Sequence, residues 1–203
     1  MSSKIEAVIW DIGGVLWRNE DQSSRLQLSE KLGIPLDVLY THVFLSETAE
    51  LATLGKITEN DHWQAIAEAI GILPDDIHAF RRDWWAGNQF DLDLLAFIRR
   101  LRSNFKVGIL SNAWSDARVE FSRILEEMGM HDHVLFSAEV GLKKPDPAIY
   151  MKLLSLMEVK PENTVFIDDS EENIDAANRL GIHGMLFTSS AQVREDLLMF
   201  LKL

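Results

Sequence analysis

Five short apolar runs, at 5–10, 105–110, 134–136, 164–167 and 184–187, are near-continuous rather than alternating. They are rich in Val, Ile and Phe, as strands of a parallel sheet buried on both faces are. Between them, apolar residues recur at helical spacing. Leu94, Leu95, Ile98 and Leu101 form one stripe; Val119, Ser122 and 124–128 form another. Ile149, Leu153, Leu156 and Met157 form a third, and Ile174, Ala177 and Leu180 a fourth, stopped by Gly181. Strands alternating with helices predict an α/β fold, a doubly wound parallel sheet.

The alternation breaks between Val15 and Asp91. That stretch has no convincing strand and is too long for one loop. It carries helical signals instead. Leu26, Leu28 and Leu32 precede Gly33. Thr58-Glu59-Asn60-Asp61 has the form of a capping box, followed by Trp63, Ile66, Ala67 and Ile70. Pro74 and Asp75 restart a helix with Ile77, Phe80 and Trp84. The pattern predicts a core domain of 1–16 and 89–203, with a helical cap of 17–88 inserted after the first strand.

Composition narrows the function. The 203 residues carry 20 basic and 32 acidic side chains, a formal net charge of −12, and show no basic patch for nucleic acid. There is no cysteine, which excludes disulfides and thiol catalysis. The apolar run before Asp11 is too short for a signal peptide or membrane span. A soluble, cytoplasmic protein is expected, a monomer or a homodimer. An acidic protein acting on an anion needs local positive charge from a lysine, backbone N–H groups or a metal.

The predicted strand ends supply such groups. Ligands of open α/β sheets bind beyond the carboxyl ends of the strands. There the chain places Asp11-Ile12-Gly13-Gly14, Ser111-Asn112 and Asp168-Asp169-Ser170, and Lys143-Lys144-Pro145 precedes a later helix. Asp11 can attack a phosphoryl group and form an acyl-phosphate. Gly13 and Gly14 allow a tight turn whose N–H groups face phosphate oxygens. Mg²⁺, an oxygen-seeking cation often held by one or two carboxylates, would bridge nucleophile and phosphate, with Asp169 and Asp168 as further anchors. Lys144 would neutralise the phosphoryl group; Ser111 and Asn112 would hold it.

Each residue also has a plainer reading. An Asp after a strand is commonly a turn or cap residue. Asp168-Asp169 could N-cap the helix beginning near Glu171. One of Lys143 and Lys144 is expected to be a solvated charge, and Ser111 could merely end a strand. Trp17, Trp84, Trp85 and Trp114 are more often packing than substrate platforms, with Trp114 the best pocket candidate because it follows the Ser111 loop. His131 and His133 make a poor metal signal and are expected at the surface.

The motifs WDIGGVL, ILSNA, GLKKPDPAIY and VFIDDSEENIDAANRLG, in this order, resemble the haloacid dehalogenase superfamily. The resemblance covers almost the whole chain, including a helical cap after the first motif. It selects Lys144, the residue before Pro145, and implies metal binding by Asp11, the Gly13 carbonyl and the acidic pair. The 55–58 segment and the Asp168–Ile174 run look like the branch that includes glucose-1-phosphate phosphatases. The resemblance thus implies a Mg²⁺-dependent phosphatase acting on a small phosphorylated metabolite such as a sugar phosphate.

One position departs from the pattern. Most phosphatases of this superfamily carry a second Asp, an acid and base, where this chain has Gly13. Losing such a group typically removes roughly 10²- to 10⁴-fold in rate. His42, Glu47 and Glu50 in the insert are replacement candidates, and Asn173 stands where many relatives have a further acidic residue. Two other readings stay open. A 2-haloacid dehalogenase also lacks the second Asp but needs no metal, and the retained acidic pair weighs against it. A non-catalytic phosphate-binding protein would keep the pocket without turnover.

Overall fold

The structure, a computed structural model, describes residues 4–127, 129 and 131–202. Met128, the end of one predicted stripe, lies outside the described residues. Along the chain run β1 (Ala7–Trp10), β2 (Trp17–Asn19), α1 (Ser23–Leu32), α2 (Leu36–Tyr40), α3 (Glu47–Thr53), α4 (Glu59–Ile70), α5 (Ile77–Trp85) and β3 (Asn88–Phe90). Then come α6 (Leu92–Leu101), β4 (Lys106–Ser111), α7 (Ala117–Glu127), β5 (His133–Phe136), α8 (Ser137–Val140), α9 (Pro147–Met157), β6 (Thr164–Asp168), α10 (Glu171–Arg179), β7 (His183–Leu186) and α11 (Ser190–Leu201). A π-helical turn, Thr41–Leu45, joins α2 to α3.

All five predicted core strands form one parallel sheet in the order β5-β4-β1-β6-β7. Both faces are covered, which explains the continuous apolar runs. Val8, Trp10, Val107, Ile109, Val165 and Ile167 pack on one face with residues of α6, α7 and α11. Ala7, Ile9, Leu110 and Phe166 face the other way, against α9 and α10. The chain leaves β1 for β4 on one side and β6 on the other. That reversal opens a crevice at the carboxyl ends of the central strands.

The 23–85 stretch has its own apolar centre, built on Leu28, Leu39, Trp63, Ile66, Phe80 and Trp84. Its predicted signals hold. Gly33 ends α1 in a left-handed conformation, the Thr58–Asp61 capping box starts α4, and Ile77, Phe80 and Trp84 are buried on α5. Leu26 departs from its predicted stripe and is 50% exposed. The expectation of no strand between Val15 and Asp91 is also corrected. β2 and β3 pair antiparallel at the two ends of the insert, Trp17 opposite Phe90 and Asn19 opposite Asn88. These three-residue strands read WRN and NQF, too short and too polar to show a period.

Candidate functional site

Asp11, one residue past β1, is fixed from behind: its backbone N–H donates to the Ile167 carbonyl on β6. The loop then turns sharply. The Gly14 N–H donates to the Trp17 carbonyl, and the Trp17 N–H to that of Ile12, leaving the Gly13 carbonyl no partner in this turn. Gly14 has φ +75°, and a Cβ there would lie 2.0 Å from Asp169 Oδ2. Only glycine fits this crossing of two loops. Gly13 is different, since a Cβ built on it meets nothing within 4 Å.

Lys144 reaches the same point from the loop between α8 and α9. Its Nζ is 2.9 Å from Asp11 Oδ1, off hydrogen-bond alignment, and donates to Asp168 Oδ2 at 2.5 Å. All three groups are buried: Asp11 is 6% exposed, Lys144 2% and Asp168 0%. Asn112 holds the lysine's backbone at both ends, accepting from its N–H at 2.8 Å and donating to its carbonyl at 2.9 Å. The other Asp168 oxygen accepts from the Ser170 N–H and the Asn173 amide, each at 2.9 Å. Asn173 thus positions Asp168. Lys143 turns outward to pair with Glu50 on α3, so the two adjacent lysines have separate partners.

The electrostatics follow from that crowding. Carboxylate oxygens of Asp11, Asp168 and Asp169 come within 4.8 Å of one another, with one ammonium among them. Burial, opposed by Lys144 and reinforced by Asp168, pushes the Asp11 carboxyl up to about 7. Burial works against the Lys144 charge, but Asp11 and Asp168 outweigh it and raise its pKa. Three carboxylates around one ammonium leave excess negative charge, which suits a divalent cation with oxygen ligands. Asp168 already spends both oxygens on internal bonds, whereas Asp169 is exposed at the crevice.

Above these groups lies a cavity of about 730 Å³ between sheet edge and insert. Gly13, Gly14, Ser111, Asn112 and Asp169 line its floor. Trp17, Trp85 and Trp114 line its walls, while Trp84 is fully buried in the insert. Of the replacement acids proposed from sequence, Glu50 lines the cavity and is paired with Lys143; His42 and Glu47 are not among the lining residues. His131 and His133, expected at the surface, are half-buried, and neither joins a metal-binding cluster among the described residues.

Sequence reasoning missed two wall residues. Arg25, on α1, is buried and donates to the Trp84 carbonyl at 3.0 Å and to Asn88 Oδ1 at 2.9 Å. Glu59, on α4, is paired with Arg81. An arginine within a polar helix carries no local signal of burial; the signal lay in the aromatic residues around it. Arg25 lies over the rings of Tyr40, Trp84 and Trp85.

Comparison with known proteins agrees with this geometry. The family model of the haloacid dehalogenase-like hydrolases matches residues 5–181. A sesquiterpene phosphatase of Aspergillus oryzae is 27% identical over 192 residues, covering 94% of this chain and 93% of its own. A D-ribitol-5-phosphate phosphatase of Bacteroides thetaiotaomicron is 26% identical, covering 97% and 98%. A haloacid dehalogenase family enzyme from the same bacterium, solved with magnesium and inorganic phosphate, superposes with a TM-score of 0.73 at 25% identity, covering 91% of this chain and 94% of that one. The crossing of the Asp11 loop, the Lys144 loop and the acidic pair over a parallel sheet fits the family match, which places this chain among the haloacid dehalogenase-like hydrolases.

Proposed function

We propose that this chain is a Mg²⁺-dependent phosphatase of the helical-cap subfamily, hydrolysing a small phosphomonoester through an aspartyl-phosphate on Asp11. The observation that carries this reading is the buried Asp11–Lys144–Asp168 cluster beneath a cavity floored by Ser111 and Gly14. Asp11 attacks phosphorus, and the bond to the leaving oxygen breaks. Lys144 balances the charge of the transferring group. Ser111 and the glycine N–H groups hold its oxygens. Asn112 acts one step back, fixing the Lys144 backbone. Asp11, Asp169 and the Gly13 carbonyl would hold Mg²⁺, which when bound supplies charge neutralisation between carboxylate and phosphate. Asp168 chiefly positions Lys144.

The 17–88 segment acts as the cap over this site, with 1–16 and 89–203 as the core. The sugar-phosphate reading draws support from the ribitol-phosphate relative. The branch resembling glucose-1-phosphate phosphatases rests on sequence motifs alone. The acidic pair favours this chemistry over metal-free dehalogenation.

The test is hydrolysis of p-nitrophenyl phosphate with Mg²⁺, with chelator, and by Asp11→Asn. Activity confined to the wild type with Mg²⁺ supports the reading. Activity in chelator, or in the variant at wild-type rate, overturns it.

A further inference from the structure

Two independent features of the cavity bear on what leaves the phosphorus. The first is the absence of an acid side chain at position 13; Asp169, the carboxylate on the floor, is the proposed Mg²⁺ ligand. Gly13 offers no side chain where the superfamily's acid would stand, although the space for one is open. The carboxylates on the walls already have cations: Glu50 pairs with Lys143, and Glu59 and Glu120 with Arg81. The Tyr40 hydroxyl accepts from Arg25 and belongs to the aromatic wall. The second feature is the wall itself. Trp114 and Phe121 from the core face Trp17, Tyr40, Phe44 and Trp85 from the insert. The rings run on from one to the next: Phe121 to Trp17 at 5.2 Å, Trp17 to Trp85 at 4.9 Å, Trp85 to Trp114 at 6.4 Å. Trp114 then stacks on Phe44 at 6.3 Å.

We infer that the preferred substrates are aryl phosphates, monoesters of a phenol-type hydroxyl, whose ring rests on the aromatic wall and whose oxygen departs unprotonated. The inference rests on the phosphatase reading and replaces its sugar-phosphate substrate with an aryl one. In the first step an Asp11 oxygen bonds phosphorus, the bond to the aryl oxygen breaks, and the electron pair leaves as aryloxide. In the second, water attacks the phosphoryl group, the bond to Asp11 breaks, and inorganic phosphate and a proton are released. A phenol ionises near 10 and an alkanol nearer to water's value of about 16, so the alkoxide needs a proton that the aryloxide does without. Flat rings also gain from offset or edge contacts with the wall.

The test is kcat/KM, which reports the first step, for phenyl phosphates of graded leaving ability, for glycerol and sugar phosphates, and for acetyl phosphate. Wild type is expected to favour aryl over alkyl esters by at least about 10²-fold, the usual contribution of a general acid. Gly13→Asp is expected to shrink that ratio at least tenfold by raising alkyl turnover. Trp114→Ala is expected to raise KM for phenyl phosphate at least about fivefold more than KM for acetyl phosphate. Sugar phosphates turned over as well as phenyl phosphate by wild type would overturn the inference and leave the phosphatase reading intact. Acetyl phosphate turned over with no aryl preference would do the same. No turnover of any phosphate ester or of acetyl phosphate would instead remove the phosphatase reading on which the inference stands.

Discussion

Lys144 links stability to the proposed chemistry. Its ammonium is the cation between two buried carboxylates, Asp11 and Asp168. Removing one partner of a buried ion pair costs about 3–5 kcal/mol, because the remaining charge stays desolvated. Lys144→Ala is therefore expected to lower unfolding free energy by about that amount in urea denaturation and to abolish turnover. An unchanged denaturation midpoint would mean the carboxylates are neutral in its absence. Gly14 makes a complementary case. Gly14→Ala adds a Cβ into Asp169 and strains a positive φ, so Mg²⁺ affinity measured by titration calorimetry should fall more than tenfold. Gly13→Ala, with open space, should leave that affinity within about twofold. The convergence of Asp11, Lys144 and the acidic pair was legible because each follows or precedes a recognisable strand or helix. The Lys143–Glu50 pair was not, because its partners are 93 positions apart and meet only through the fold.

At the scale of elements, the insert depends on a histidine that its sequence did not flag. His62 on α4 is wholly buried, its Nδ1 2.8 Å from Thr48 Oγ1 and its Nε2 3.0 Å from the Val43 carbonyl. Burial lowers its pKa from the ordinary 6.5, and the Val43 carbonyl opposes that only in part. The unfolded chain therefore binds more protons than the folded one as pH falls below about 6.5, and stability falls with it. Thermal melts from pH 7.5 down to 5.5 are expected to show a loss that His62→Gln reduces. A loss of the same size in both proteins would assign it to other groups. The strands of the core were readable from their burial on both faces. β2 and β3 were not, because three residues are too few to show a period and their pairing spans about seventy residues of helix.

For the whole molecule, a net charge of −12 makes an anionic substrate an uphill encounter unless cations are gathered locally. Arg18, Arg25 and Lys143 line the cavity and Lys144 lies beneath its floor, but Glu50, Glu59, Glu120 and Asp169 line it too, so a bound divalent cation would supply the missing positive charge. The insert and core meet through side chains as well as through the cavity. Arg81 pairs with Glu59 of the insert and with Glu120 of the core, and the Glu59 N–H donates to Ser115 Oγ at 3.0 Å. Among the described residues, no helix is long and apolar enough to cross a membrane.

In the proposed mechanism Asp11 carries the phosphoryl group during turnover. This is tested most directly by acid-quenching the enzyme while it hydrolyses p-nitrophenyl phosphate with Mg²⁺ and locating the modification by mass spectrometry. The account predicts a phosphoryl group on the peptide containing Asp11, dependent on Mg²⁺ and absent in Asp11→Asn. Steady turnover with no phosphorylated peptide, or with the phosphoryl group on another residue, would contradict it.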